Sequence, residues 1–149
     1  MKKFTFALDK VLRYKRQIER NLRNEHAYIV QEINQQEKVI EDLEKEYDKL
    51  AHEFEEIKQV GATVKSLRVY EDYFNTLRQS IIMEEQLLHL LRQKEAQKRK
   101  EVITAKQETS SIDILKDKRK EEYTKELRKN EERELEEFVA STMHQAKGA

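Results

Sequence analysis

Val60-Gly61-Ala62-Thr63-Val64-Lys65-Ser66 divides the chain. Gly61 is one of only two glycines; the other is Gly148, and there is no proline. Long, highly charged segments flank the stretch, with apolar residues at helical spacing. Glycine ends helices because it accepts a positive φ without a Cβ clash. Thr63 and Ser66 then offer side-chain oxygens that can cap a new helix. The stretch therefore predicts an all-α fold: two very long helices folded back at Gly61 into an antiparallel coiled-coil hairpin. The expected plan is one elongated domain, 1–149, with a helix over 4–59, a bend over 60–66, a helix over 67–142 and a tail over 143–149. The second helix is the longer and overhangs the first.

The spacing on each side supports this plan. Before the bend, Leu22, His26, Ile29, Ile33, Gln36, Ile40, Leu43, Tyr47, Leu50, Phe54 and Ile57 alternate in steps of four and three. That alternation is a heptad seam, the signature of a left-handed coiled coil. Leu8, Val11 and Ile18 join it only through an extra four-residue step, a stutter that would locally unwind the supercoil. His26 and Gln36 are polar seam positions, which cost stability but set register and oligomer state. After the bend the seam reads Leu67, Tyr70, Phe74, Leu77, Ile81, Glu84, Leu88, Leu91, Glu95, Lys98, Val102, Ala105, Thr109 and Ile112. Folding at Gly61 places residue i beside about 122 − i, a simple consequence of equal rise on the two helices. On that rule Leu8 lies near Ile114, and residues beyond about Lys118 have no intrachain partner. They are either a docking element with spaced apolar residues or a solvated tail.

Charge is 40% of the residues and the apolar share is 37%, the composition of long helices and coiled coils. Disorder is the rival for so polar a chain, but the sustained periodicity opposes it. With no cysteine, disulfides and thiolate metal sites are excluded. No apolar run approaches the length of a membrane span, and Asp9 and Lys10 break the apolar start, so it is not a signal peptide. Thirty basic and thirty acidic residues cancel, which removes a general pull toward nucleic acid. The charges are nevertheless sorted. Residues 1–23 carry eight basic and two acidic side chains, and 36–59 carry nine acidic and four basic. The hairpin is thus expected to be basic at the open end and acidic toward the bend.

No catalytic constellation is present. Gly61 stands alone, so no glycine-rich loop can cradle a phosphate. His26, His52, His89 and His144 are scattered and form no zinc-binding spacing. Arg92–Lys106 is basic but lacks the interleaved aromatics of a nucleic-acid surface. The aromatic residues are more informative. Tyr70, Tyr73, Phe74 and Leu77 are expected to face Tyr47, Leu50 and Phe54. Tyr70 and Phe74 fit the seam; Tyr73 lies off it and is the candidate exposed contact.

Three stretches together resemble the FliJ family of the flagellar type III export apparatus. They are Phe4-Thr-Phe-Ala-Leu-Asp-Lys-Val-Leu-Arg-Tyr-Lys-Arg, then Leu67-Arg-Val-Tyr-Glu-Asp-Tyr-Phe-Asn-Thr-Leu-Arg-Gln-Ser-Ile, then Lys118-Arg-Lys-Glu-Glu-Tyr with Glu132-Arg-Glu-Leu-Glu-Glu-Phe. The resemblance implies a non-enzymatic, stalk-like coiled coil without cofactors or metal. Its open end would enter the hexameric export ATPase FliI and promote ring assembly and turnover. Candidate ring contacts are Phe4, Phe6, Leu8, Lys15, Arg16, Arg20, Tyr123, Leu127 and Phe138. The part nearer the bend would contact the export gate FlhA. By motif position, the gate contacts fall on Gln36, Ile40, Leu43, Tyr47, Tyr73, Leu77 and Ser80. Glu84 stands where the family can carry a histidine. Export chaperones and FliH are further implied partners, with neither nucleic acid nor membrane insertion. The implied setting is cytoplasmic, against the inner face of the membrane at the flagellar base, with a monomer when unbound. The competing reading is a structural spacer or scaffold without an ATPase partner, paired as a homodimer along the whole seam.

Overall fold

In the computed structural model, which describes residues 2–148, α1 is Asp9–Val60 and α2 is Val64–Gly148. The two helices pack against each other, and the described residues contain no strand. The connection is only Gly61, Ala62 and Thr63, shorter than the expected 60–66 because both helices are capped at once. The Gly61 N–H donates to the Ile57 carbonyl at 3.0 Å, and Gly61 takes φ +103°. Thr63 then caps α2: its Oγ1 accepts from Ser66 N at 3.2 Å and its carbonyl from Leu67 N at 3.1 Å. These bonds satisfy backbone groups that a helix end leaves open.

A Cβ at Gly61 would meet no atom within 4 Å. The penalty for Gly61→Ala is therefore one of backbone conformation alone, roughly 1–2 kcal/mol. Urea unfolding is expected to read that loss with an unchanged m-value. An unaltered midpoint would mean that the bend accepts a negative φ.

The chain forms two compact units, where one domain is expected. The first, Asn21–Ile103, contains the bend. Within it the helices run antiparallel. His26 meets Glu95, Gln36 meets Glu84, and Tyr47 meets Phe74, close to the 96, 86 and 75 that the pairing rule gives. Ile29, Ile40, Leu50, Leu77 and Leu88 are buried. Every expected seam residue, from Leu22 to Ile57 and from Leu67 to Ile112, is buried or half-buried. Near the bend an aromatic cluster closes the seam. Phe54 packs on Tyr70 and Phe74 with ring centroids 5.6 and 5.5 Å apart, and Tyr47 packs edge-on to Phe74 at 5.2 Å. Such offset and edge-on contacts follow from the ring quadrupole.

The second unit joins the chain up to Arg20 with Thr104 onward. Here the structure corrects two expectations. Residues 2–8 are not helical, so α1 begins at Asp9 rather than at residue 4. Phe4, Phe6 and Leu8 alternate with Thr5 and Ala7, a period of two that belongs to extended chain. Extended chain covers more than twice the distance per residue of a helix. The segment therefore reaches further along α2 than Lys118. Phe4 packs on Tyr123 with centroids 5.5 Å apart, and the Tyr123 hydroxyl donates to the Lys2 carbonyl at 2.6 Å.

The second correction is the stutter. Of the three residues that the stutter would bring in, Ile18 is half-buried but Val11 and Leu8 are exposed, whereas Leu12, which it leaves out, is fully buried at 0% exposure. Lys15 and Glu19 are half-buried, so Leu12, Lys15, Glu19, Leu22 and His26 keep the alternation of three and four without a break. A lysine can fill a seam position because its aliphatic stem covers apolar surface while its ammonium reaches out. Lys15 does so, meeting Glu108 at 2.8 Å. The α2 helix also passes the expected end at 142 and continues to Gly148. No proline or glycine intervenes, and the Thr142 hydroxyl returns to the Phe138 carbonyl at 2.8 Å instead of turning the chain. The expected tail 143–149 is thus helical as far as Gly148; Ala149 lies outside the described residues.

Candidate interaction surfaces

The heptad frame decides which side chains can meet a partner. Positions a and d face the other helix, g and e flank them, and b, c and f point away. The gate residues expected from the family resemblance divide on this criterion. Gln36, Ile40, Leu43, Tyr47 and Leu77 all occupy a or d. Gln36, Ile40 and Leu77 are buried, and Leu43 and Tyr47 are half-buried. Tyr73 and Ser80 occupy g. Tyr73 is 42% exposed, as its position off the seam predicts, and Ser80 is half-buried.

Gln36 is committed within the unit. Its amide donates to the Glu84 carbonyl at 3.0 Å and to the Glu84 carboxylate. Glu84 is thus the partner of a buried amide. Sequence reading singled out both residues but not their pairing. The signal was available, since both fall on the seam at positions that the pairing rule sets nearly opposite. Tyr73 donates its hydroxyl to the Glu46 carboxylate. That bond favours the neutral phenol and raises its pKa, with burial and the Glu46 and Glu53 charges acting in the same direction. Tyr47 accepts from Arg78 at 3.0 Å.

The residues expected to face an ATPase ring lie in the other unit. Phe4, Phe6 and Tyr123 are half-buried together around a cleft that Leu115, Arg119 and Glu126 also line. Leu8 is slightly exposed, Leu127 is half-buried, and Phe138 is exposed. Beyond Leu127 every described residue of α2 is exposed, including Leu135, Val139 and Met143.

The basic residues are less available than their number suggests. Lys15 pairs with Glu108 at 2.8 Å and Arg16 with Asp113 at 2.6 Å. Arg20 bonds to Gln17 at 3.3 Å. Lys116 donates to Asp9 at 3.0 Å, and this bond holds the Asp9 carboxylate below the usual aspartate range. Asp9 also sits in the first turn of α1, where the helix dipole favours negative charge. In the unit containing the bend, Lys98 bonds to Glu25 at 2.8 Å and Glu101 at 2.9 Å, and these bonds raise its pKa. The basic excess of 1–23 therefore serves partly to bind α1 to α2.

No grouping of three or more His, Asp or Glu side chains suited to a metal ion occurs among the described residues. None of their helices is long and apolar enough to cross a membrane. The surface carries exposed apolar residues on both helices and clefts beside them.

Comparison with curated proteins and with solved structures finds no match. Comparison with family models does: the model described as Flagellar FliJ protein matches residues 4–148. That span covers the extended segment, both helices and the bend, so the chain belongs to the FliJ family and is a protein of flagellar export.

Proposed function

We propose that this chain is a non-enzymatic adaptor of the flagellar export machinery that binds and activates the hexameric export ATPase FliI. In this reading the unit containing Phe4, Tyr123 and the exposed end of α2 engages the ATPase. The unit containing the bend contacts the export gate FlhA, and the protein helps recycle export chaperones. The family match over residues 4–148 carries the reading. The exposed run of α2 beyond Leu127 supports it. Leu135, Phe138, Val139 and Met143 are exposed and hold apolar surface at the helix face. An apolar helix face of this kind suits insertion into a groove of a partner.

The test is the ATP turnover of the cognate export ATPase, titrated with this protein. Saturable stimulation is expected. Phe138→Asp should raise the concentration for half-maximal stimulation about tenfold or more, since burying one phenyl ring is worth about 1.5–3 kcal/mol. Helicity by circular dichroism should stay unchanged, because Phe138 is exposed. Charge reversal is better placed at Lys10 than at Lys15 or Arg16, which hold α2. Absence of both stimulation and binding would leave the scaffold reading in its place.

A further inference from the structure

The two flanks of the unit Asn21–Ile103 differ in chemistry. On the e flank, Arg92 pairs with Glu37 at 3.0 Å, and Arg78 reaches the Tyr47 hydroxyl at 3.0 Å. Both signs of charge are present there and partly cancel. On the g flank, two contacts span the helices: Tyr73 with Glu46, and, at the end of the unit away from the bend, Lys98 with Glu25 at 2.8 Å. There α2 shows a second apolar row at positions g and c, clear of the seam. Met83 is 69% exposed, Leu87 45% and Leu90 60%. These three are spaced four and three apart, so they form one continuous row.

On α1 the same flank carries exposed Val39 at g, with Glu32 and Glu46 at g and Asp42 at c. Antiparallel pairing sets Val39 opposite Ser80 and Glu32 opposite Leu87, in step with the Glu46–Tyr73 contact. Neither Glu32 nor Asp42 forms an ion pair among the described residues. Between Glu32 and Glu46 on α1, and between Tyr73 and Leu90 on α2, no g or c position holds a lysine or arginine. Over this stretch the flank is an apolar row whose charged edge is Glu32, Asp42 and Glu46, with Lys49 at c and Lys94 at g lying just beyond it.

We propose that this flank docks an amphipathic helix of a partner protein, with Met83, Leu87 and Leu90 taking its apolar side and Glu32, Asp42 and Glu46 its basic residues. The charge pattern selects the occupant. A helix with basic flanks gains from the carboxylates of Glu32, Asp42 and Glu46, of which Asp42 already feels the Lys45 ammonium and Glu46 already accepts from Tyr73, and an acidic helix is repelled. A second copy of this chain would bring its own Glu32 and Asp42 to the same face. The flexible thioether of Met83 suits a surface that must fit a partner rather than a core. Tyr73 and Ser80 lie on this flank, whereas the other expected gate residues point into the seam. The inference does not require the ATPase reading, and its test does not use the ATPase.

The probe is a synthetic helical peptide with leucine at i, i+3, i+4 and i+7 and lysine on both flanks, beside a twin with glutamate for lysine. Fluorescence anisotropy is expected to show binding of the lysine peptide only. Met83→Gln with Leu87→Gln should weaken it about tenfold or more. Ile82→Gln with His89→Gln, at b positions beyond the other flank, should leave it within about twofold. Glu32→Gln with Asp42→Asn should weaken binding and flatten its dependence on salt, because the screened attraction is then smaller. Circular dichroism of every variant should match the parent, since all the substituted side chains are exposed or half-buried. Equal binding by the Met83/Leu87 variant, or no binding by the parent, would overturn the proposal. So would a dimer in sedimentation equilibrium that the Met83/Leu87 change abolishes, because it would assign the row to a second copy.

Discussion

Leu77→Asp is expected to destabilise the protein by about 4 kcal/mol or more, as read by urea unfolding with circular dichroism. Leu77 is only 5% exposed and sits at a d position of α2. The estimate has two parts. Removing a buried leucine side chain costs about 2–5 kcal/mol through lost transfer energy and the void left behind. A carboxylate in its place must then either stay charged in an apolar seam or take up a proton, and both cost free energy. Against a total stability on the order of 5–15 kcal/mol, such a loss leaves the folded unit marginal. Lowering the pH below the usual carboxylate range should recover part of it, as the introduced group is neutralised. An unchanged midpoint would show that Leu77 is not seam. The same result bears on function. If Leu77→Asp unfolds the seam, loss of gate binding by that variant says nothing about a direct contact. Tyr73→Ala and Ser80→Ala, on the flank, separate the two roles.

Gln36→Leu combined with Glu84→Leu should act in the opposite direction, raising stability by about 1–3 kcal/mol. The pair forms a polar layer in an otherwise apolar stretch. It is satisfied, since the Gln36 amide donates to both the carbonyl and the carboxylate of Glu84. A satisfied buried polar pair still gains less than two well-packed apolar side chains of similar volume. Gln36→Leu alone should instead cost about 1 kcal/mol, because it strands a half-buried carboxylate without its donor. What the double change should lose is selectivity. A polar layer favours the one register and partner in which amide and carboxylate meet. Sedimentation equilibrium is expected to show self-association in the double variant at concentrations where the parent shows less. If the double variant were less stable than the parent, or no more associated, the layer would not have the role of fixing register.

The bend and the seam were legible in the residues. Gly61 and Thr63 mark a stop and a start that local chemistry dictates: a φ that suits glycine and a hydroxyl that caps a helix. The seam was legible because helical periodicity needs no knowledge of the partner helix. Even the polar members, His26, Gln36, Glu84 and Lys98, fall inside on spacing alone. The start of the chain was misread for an equally local reason. Phe4, Phe6 and Leu8 are apolar enough to join a helix pattern, yet their alternation is that of extended chain. Tertiary contact with Tyr123 shows which reading holds. A hydrophobic count misses Lys15 and Glu19 on the seam because it does not credit a long aliphatic stem.

The sequence by itself determined where the chain bends, which stripe of each helix is apolar, and the antiparallel pairing that follows from folding at one glycine. The tertiary structure alone decided which apolar residues that stripe leaves uncovered. Periodicity states which face of a helix avoids water, but not how far the opposite helix reaches across it. Val11 and Leu12 are adjacent apolar residues, of which the spacing placed Val11 on the seam, and only packing against α2 makes Leu12 core and leaves Val11 at the surface.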